Sequence, residues 1–215
     1  NMHNLNINNP PISDIVFDLD GTLYVADGFA ATIRQEATAF MAKLLKCSPE
    51  QADRVMAETR CRLAEENDSV PTLSAACSRL GGTLPDMHAW FESCLNPETH
   101  LVRDQQVVEL ITRLRRKCGL HIYTNNNRVL TTRIIDYLGL SGMFTHIFTI
   151  DDTWRPKPDR TRLEQLLALT GHPAQQVLFV DDRYDVDLRL PEPSGCPVYL
   201  SQNLEQLLRL ETVLG

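Results

Sequence analysis

Two kinds of hydrophobic pattern alternate along most of the chain. Short apolar runs, of which Ile15-Val16-Phe17 is the first, are bounded by polar or turn-forming residues and predict buried strands. Further β-rich runs lie at 120–124, 146–150, 176–181 and 197–200. Between them, apolar residues recur every three or four positions and predict amphipathic helices, the last near residues 203–213. Strands that alternate with helices form parallel βαβ units, so the pattern predicts an α/β protein with a Rossmann-like parallel sheet core of about five strands.

Residues 26–100 interrupt this alternation, because their apolar residues follow the helical period throughout. Ser48-Pro49-Glu50-Gln51 has the composition of a helix start, with Ser48 as the N-cap and Gln51 completing a capping box. We therefore expect an all-helical cap inserted after the first strand. The expected organisation is a flexible Asn-rich tail over 1–11, an α/β core over 12–25 and 101–215, and the cap over 26–100.

The composition indicates which kinds of molecule the protein is unsuited to bind. The 215 residues include 21 Lys and Arg against 28 Asp and Glu, which gives a formal charge of −7. A binder of nucleic acid polymers or of membrane surfaces needs a basic face, so the acidic balance argues against both. No apolar run approaches the roughly 18 residues that span a bilayer. The six Cys are spread singly rather than at metal-binding spacings, which favours free thiols and a cytoplasmic protein.

Polar residues of chemically useful types follow the predicted strands. Asp18 and Asp20 come after the first strand, Thr124 and Asn125 after the second, and Asp181 and Asp182 after the fourth, while Lys157 lies between prolines after the third. The carboxyl ends of parallel strands meet at one edge of a sheet, where functional groups collect. Two pairs of carboxylates, a hydroxyl and an ammonium group are the parts that phosphoryl transfer through an aspartyl-phosphate requires.

The order of these residues resembles that of a known family. Asp18-Leu19-Asp20-Gly21-Thr22-Leu23-Tyr24 after an apolar strand is similar to the first motif of the haloacid dehalogenase (HAD)-like superfamily of hydrolases. Thr124-Asn125, Lys157-Pro158 and Asp181-Asp182 with Asp187 are similar to its second, third and fourth motifs. The helical insertion resembles the superfamily's helical cap. The likeness covers about residues 12–212 and implies a hydrolase with a nucleophilic aspartate.

The roles of the acids follow from their charge and from the resemblance. Asp18 would attack phosphorus, and an ionised carboxylate needs a cation beside it before it can approach a phosphate. Mg²⁺ is therefore the expected cofactor, held by Asp18 and Asp182, and the resemblance adds the backbone carbonyl of Asp20. Asp20 would protonate the leaving alkoxide and then activate water. Asp181 would bind the metal or steady the site.

The remaining motif residues would bind phosphate or support the acids. Thr124, backbone N–H groups near Asn125 and the following helix N-terminus would hold the phosphoryl oxygens. Lys157 would supply positive charge between Asp18 and the phosphate, and so serve both catalysis and binding. Arg183 stands, in a supporting position, where the family usually has a small hydroxyl residue.

Two features near the fourth motif are less regular. The final acid of this motif can lie four or five positions after Asp182. Val186 occupies the fourth position, so Asp187, at the fifth, is preferred to Asp185 as a supporting acid. The run Pro191-Glu192-Pro193-Ser194-Gly195 replaces the family's usual Ala/Gly-containing helix end. The sequence therefore leaves the local geometry after this motif open.

The predicted function is Mg²⁺-dependent hydrolysis of a small phosphate monoester through an aspartyl-phosphate. The Thr-Asn-Asn run and the Val-Asp-Asp fourth motif are similar to the pyrimidine 5′-nucleotidase-like branch of the family, which implies a nucleoside 5′-monophosphate. The alternatives are a phosphoglycolate or sugar phosphatase and a phosphomutase. A 2-haloacid dehalogenase needs neither a metal nor an acid at the position of Asp20, and a receiver-type signalling module has its acidic pair after the first strand. We expect a cytoplasmic monomer or homodimer whose partner is a small phosphorylated metabolite.

Overall fold

The computed structural model describes residues 2–3, 10–67 and 71–215. The chain divides into two compact units. The first is formed by Asn1–Val25 and Leu101–Gly215, and the second by Ala26–His100.

A six-stranded sheet forms the centre of the first unit in the part of the chain described. Its strands are β1 (Met2–His3), β2 (Asp14–Phe17), β3 (Gly119–Tyr123), β4 (His146–Phe148), β5 (Val177–Asp181) and β6 (Val198–Leu200). They lie in the order β1-β6-β5-β2-β3-β4, and β2 to β6 run parallel. The predicted Rossmann-like core of five parallel strands is confirmed.

Strand β1 pairs antiparallel with β6, where Met2 lies opposite Tyr199 and His3 opposite Val198. The sequence predicts a flexible tail over 1–11, most of which lies outside the described residues. Met2–His3 differ from that expectation, because the outer edge of β6 offers backbone N–H and C=O groups with which a short extended segment can pair.

The register of the central strands decides where polar side chains can meet. Ile15, Val16 and Phe17 of β2 are almost completely buried, as expected for a strand covered on both faces. Phe17 lies opposite Ile122 of β3 and opposite Val180 of β5. The residues that follow these three positions therefore emerge side by side at the carboxyl edge of the sheet.

The second unit is helical in its described residues. Its helices are α1 (Asp27–Leu45), α2 (Pro49–Asn67), α3 (Leu73–Arg79) and α4 (Leu84–Cys94). The predicted capping box is present before α2, where the N–H of Gln51 donates to Ser48 Oγ at 3.2 Å and the N–H of Ser48 donates to Gln51 Oε1 at 3.1 Å. The prediction of an all-helical insertion after the first core strand is confirmed.

The helices of the first unit lie between and after the strands. They are α5 (Gln105–Arg115), α6 (Arg128–Leu138), α7 (Arg160–Thr170), α8 (Leu204–Leu208) and α9 (Leu210–Leu214). The prediction of a single helix near 203–213 is wrong in one respect, because the helix is interrupted at Arg209 and forms α8 and α9. The N–H of Arg209 donates to the carbonyl of Gln206 as well as to that of Glu205, which tightens the last turn of α8. Among the described helices, none is both long enough and apolar enough to cross a membrane.

Two further segments differ from the expected pattern. Strand β4 stops at Phe148, short of the predicted run 146–150, because the N–H of Thr149 donates to Asp152 Oδ2 at 2.9 Å and a 3₁₀ turn begins at Ile150. After β5 the chain forms one π-helical turn, Tyr184–Leu188, and then a series of turns through Pro191–Gly195. The two prolines of that last segment have no N–H to donate, so a regular helix does not continue there.

A buried carboxylate meets two imidazoles at the amino end of the sheet. Asp14 Oδ1 lies 2.7 Å from His121 Nε2, and Asp14 Oδ2 lies 2.5 Å from His172 Nδ1. Gly119 is required beside them, because a Cβ there would lie 2.3 Å from Asp14 Oδ1. The ring of His146 stacks on that of His121 with 5.2 Å between centroids. Burial lowers the pKa of His121, Asp14 acts in the opposite direction, and His146 adds to the lowering.

This arrangement predicts that His121 contributes a loss of stability in mild acid. The folded-state pKa of His121 lies below the ordinary value of 6.5, so the unfolded chain binds the proton first as the pH falls. The contribution of His121 to the free energy of unfolding should therefore become less favourable as the pH is lowered below about 6.5, whereas acids with raised pKa values, such as Asp18, contribute in the opposite direction. His121→Gln keeps a donor for Asp14 but does not titrate. Between about pH 7.5 and about pH 5.5, the free energy of unfolding of this variant in urea should therefore fall less, or rise more, than that of the wild type. His100→Gln, at an exposed histidine, is the control, and equal changes in all three proteins would contradict the prediction.

Candidate active site

The carboxyl edge of the sheet gathers side chains from three strands. Asp18 follows β2, Thr124 follows β3, and Asp181 ends β5. All three residues are buried. The N–H of Asp18 donates to the carbonyl of Val180 at 2.9 Å, so the residue after β2 is still held by the neighbouring strand. The structure thus brings Asp18 together with residues that lie more than one hundred positions away in the chain.

Lys157 lies at the centre of this group. Its Nζ is 3.2 Å from Asp18 Oδ1, 3.1 Å from Asp181 Oδ2 and 3.1 Å from Asp187 Oδ1. It also donates to the carbonyl of Tyr123 at 3.0 Å and lies 5.1 Å from the centre of that ring. Because the Lys157 side chain is only 4% exposed, its charge is compensated by the protein rather than by water. One buried ammonium therefore faces three buried carboxylates.

Asn125 fixes the loop that carries this lysine. Its Oδ1 accepts the backbone N–H of Lys157 at 2.7 Å, and its Nδ2 lies 3.5 Å from the carbonyl oxygen of the same residue. The sequence predicts phosphate binding by Thr124 and by backbone N–H groups near Asn125. The Asn125 side chain is committed to the loop, which leaves the backbone groups for that role.

The site holds more carboxylates than positively charged side chains, so its negative charge is only partly compensated. Burial raises the pKa of Asp18 to about 7, Lys157 acts against the rise, and neighbouring carboxylates, Asp187 foremost, add to it. Burial also acts to lower the pKa of Lys157, but the three carboxylates around it outweigh burial and raise that pKa well above its usual value. Lys157 is therefore charged, yet its single charge leaves Asp18 with a raised pKa. A further cation beside Asp18 would favour the ionised carboxylate.

Three acids form a candidate site for such a cation. Asp18, Asp181 and Asp182 each offer a carboxylate oxygen, and these oxygens lie within 4.8 Å of one another. Asp182 Oδ1 is buried and accepts no hydrogen bond from any described residue, as expected of an oxygen that serves as a metal ligand. Both carboxylate oxygens of Asp181 already have partners in the protein, since one accepts the N–H of Asp182 at 2.8 Å and the other contacts Lys157. An all-oxygen donor set fits a hard divalent cation, with Asp18 and Asp182 the best-placed side chains.

Gly21 allows Asp182 to approach the loop after β2. Its φ of 86° is in the left-handed region, and a Cβ there would lie 2.6 Å from Asp182 Oδ2. The turn is closed by the N–H groups of Thr22 and Leu23, which both donate to the carbonyl of Leu19, at 3.2 and 3.0 Å. The glycine of the first motif thus serves both the turn and the acidic cluster.

Asp20 is held by Tyr24 and Asn126, to which the sequence motifs assign no role, and is contacted by Thr124. Tyr24 Oη donates to Asp20 Oδ1, and Asn126 Nδ2 lies 3.2 Å from Asp20 Oδ2 and 3.4 Å from Oδ1. Thr124 Oγ1 lies 3.5 Å from Asp20 Oδ2. Burial raises the pKa of Asp20, and the hydrogen bonds from Tyr24 and Asn126 oppose that rise. The signals for these two residues are the Tyr that ends the first motif and the second Asn of the Thr-Asn-Asn run.

The acid that supports Lys157 is Asp187. Asp187 is buried against Lys157, whereas Asp185 is exposed. Arg183 Nε lies 3.2 Å from Asp187 Oδ2, and the Arg183 side chain is about half-exposed. Burial acts to raise the pKa of Asp187, but Lys157 and Arg183 outweigh it, and the pKa is lowered. The structure thus brings Asp187 to the site and places Arg183 beside it.

Open α/β proteins with acidic side chains at the carboxyl edge of the sheet form a class that includes hydrolytic enzymes. Within that class, the model of the haloacid dehalogenase-like hydrolase family matches residues 15–190, so the chain belongs to this family and is an enzyme. Among curated proteins, none matches the chain significantly.

Solved structures of low sequence identity share the fold. The chain is similar to a HAD phosphatase from Thermococcus onnurineus, with a TM-score of 0.65 and 16% identity over 95% of this chain and 98% of that one. It is similar to a structure from Bacillus subtilis described as a HAD-hydrolase bound to magnesium, with a TM-score of 0.59 and 19% identity over 94% and 100%. It is also similar to a 2-haloacid dehalogenase from Pseudomonas syringae pv. Tomato DC3000, with a TM-score of 0.58 and 21% identity over 94% of this chain and 98% of that one. Phosphatases and dehalogenases thus share this fold, and the reaction must be argued from the site.

Proposed function

We propose that this enzyme is a Mg²⁺-dependent phosphatase that hydrolyses a small phosphate monoester. The observation that carries the proposal is the second carboxyl of the first motif, Asp20, which is partly buried and held by Tyr24 and Asn126. Ester hydrolysis needs a group that gives a proton to the leaving oxygen and then takes one from water. Displacement of halide from carbon needs no such acid, since halide leaves without a proton.

The proposed reaction has two steps. Asp18 attacks phosphorus and forms an aspartyl-phosphate while the bond from phosphorus to the ester oxygen breaks, and Asp20 gives its proton to that oxygen. A water molecule then attacks phosphorus, Asp20 takes its proton, and the bond to Asp18 breaks to release inorganic phosphate. The cycle consumes one water molecule and returns both carboxyls to their starting states.

The other residues bind charge in this proposal. Lys157, Thr124 and backbone N–H groups near Asn125, helped by the N-terminus of α6, hold the phosphoryl oxygens. Mg²⁺, held by Asp18, Asp182 and the carbonyl of Asp20, would neutralise negative charge on the phosphate and on the nucleophile. The uncommitted oxygen of Asp182 and the magnesium described for the Bacillus subtilis structure support this ion.

We propose a nucleoside 5′-monophosphate as the substrate, with phosphoglycolate, a sugar phosphate or a phosphomutase reaction as alternatives. The formal charge of −7 disfavours nucleic acid polymers and membrane surfaces, so the proposed partner is a small phosphorylated metabolite. We also propose that the protein is a cytoplasmic monomer or homodimer. Measuring kcat/KM across a set of phosphorylated metabolites would identify the leaving group.

Phosphate release from p-nitrophenyl phosphate tests the proposed reaction and its metal. We expect turnover in the presence of Mg²⁺, its loss on addition of a chelator, and its return when Mg²⁺ is restored. Asp182→Asn should raise the Mg²⁺ concentration for half-maximal activity by at least about tenfold, because one charged oxygen ligand is removed. Asp185→Asn, which changes an exposed acid three positions away, should leave that concentration unchanged.

Two outcomes of the same assays would contradict the proposal. Phosphate release that is unaffected by the chelator would rule out the cation site. Chloride release from 2-chloropropionate without metal, together with no phosphate release, would make the enzyme a dehalogenase.

A further inference from the structure

The carboxyl of Asp20 is held from two sides by donors that come from different loops. Tyr24, in the loop after β2, donates its hydroxyl to Oδ1. Asn126, in the loop after β3, places its Nδ2 at 3.2 Å from Oδ2. An isolated β-bridge between Asp20 and Tyr24 ties their backbones together as well. The carboxyl therefore cannot rotate without breaking at least one hydrogen bond.

The amide of Asn126 can face Asp20 in one orientation only. Its Oδ1 accepts the backbone N–H of Asn127 at 2.9 Å, so its NH₂ group is the end that points to Asp20. The backbone of Asn126 is fixed too, since its N–H donates to Thr124 Oγ1 at 3.0 Å and its carbonyl accepts the N–H of Ile150 at 3.0 Å. The donor on this side is thus preorganised.

The hydroxyl of Tyr24 is a permanent donor. Tyr24 is 5% exposed. Burial and the neighbouring Asp20 raise the pKa of Tyr24 well above its usual value, so the phenol keeps its proton. Asp20 thus faces an O–H group in each of its own protonation states.

We propose that Tyr24 and Asn126 are positioning residues that keep the Asp20 carboxyl directed at the leaving-group oxygen and away from the cation site. This inference rests on the proposed phosphatase function. Asp18 and Asp182 lie close to Asp20, and an unrestrained carboxylate there would be drawn to the cation that those acids hold. Tyr24 and Asn126 occupy about half of the four lone-pair sites of the carboxylate, and Thr124 Oγ1 contacts Oδ2 at 3.5 Å, which leaves a site for the proton that Asp20 carries.

The inference predicts that the cost of losing a donor depends on the leaving group. Departure of phenolate from phenyl phosphate gains from protonation far more than departure of p-nitrophenolate, and the two esters differ only in the para-nitro group. Tyr24→Phe should therefore lower kcat/KM for phenyl phosphate at least about tenfold more than kcat/KM for p-nitrophenyl phosphate. Asn126→Ser removes the amide donor and should change this ratio in the same direction.

A matched control separates positioning from stability. Tyr199→Phe also removes a buried hydroxyl, which donates to the carbonyl of Gln206 away from the site. It should leave the ratio of the two kcat/KM values unchanged, even where the thermal midpoint falls. Both esters are assayed below the unfolding temperature of the least stable variant.

Equal losses on the two esters in Tyr24→Phe and in Asn126→Ser would overturn the inference while leaving the proposed phosphatase intact. If Tyr24→Phe does not fold, Asn126→Ser decides the question by the same ratio. A wild-type enzyme that releases no phosphate from either ester would overturn the proposed function, and this inference with it.

Discussion

Asp18→Asn is expected to lower kcat for phosphate release by at least about 10⁴-fold, because the amide cannot form the aspartyl-phosphate. The same substitution should abolish covalent labelling. Wild-type enzyme quenched in acid during turnover should carry phosphate on the protein, and Asp18→Asn should carry none. Asp185→Asn, at an exposed acid, should behave as the wild type in both assays.

The fold should survive this substitution. Burial raises the pKa of Asp18 from 3.8 to about 7, so the ionised carboxylate is disfavoured in the folded protein. The stability contributed by protonated Asp18 is present below 3.8 and is lost as the pH rises through about 7, and asparagine has no such loss. With a chelator present at about pH 8, Asp18→Asn should therefore be at least as stable as the wild type. A folded Asp18→Asn protein that still turns over p-nitrophenyl phosphate at the wild-type rate would disprove the mechanism.

The core elements could be predicted because their signals are local. The apolar run before Asp18 and the run 120–124 have the length and composition of buried strands. Parallel pairing then places the ends of such strands at one edge, which is why Asp18, Thr124 and Asp181 meet as expected. The sequence order of polar residues at strand ends thus carried most of the information about the site.

Contacts that depend on side-chain direction could not be predicted in this way. Asn125 and Asn126 are identical neighbours, yet Asn125 holds the Lys157 loop and Asn126 holds Asp20. The turn after β3 decides which way each amide points, and no periodicity encodes that turn. Asp14 and His172 are 158 positions apart and carry no pattern that links them. Such pairs exist only because the sheet brings distant segments together.

Lys157→Met is expected to lower the free energy of unfolding by about 3–5 kcal/mol, because it leaves buried carboxylates without their counter-charge. Urea unfolding with a chelator present measures the change. Lys117→Met provides a matched control, since Lys117 is 60% exposed and its ion pair with Glu211 spans 3.5 Å. Loss of that surface pair should cost no more than about 1 kcal/mol. Equal costs in the two variants would show that the buried lysine does not hold the site together.

A double variant distinguishes lost charge from lost packing. If the cost of Lys157→Met comes from unpaired carboxylates, then neutralising one of them should recover part of it. Asp187 is the suitable partner, because it lies 3.1 Å from Lys157 Nζ and has no proposed role as a nucleophile or a metal ligand. Lys157→Met with Asp187→Asn should therefore be more stable than Lys157→Met alone, although Asp187→Asn alone should destabilise the wild type, because the pKa of Asp187 is lowered in the folded protein. A cost that came from a packing defect would instead add in the double variant, since Asp187→Asn fills no space that the lysine leaves.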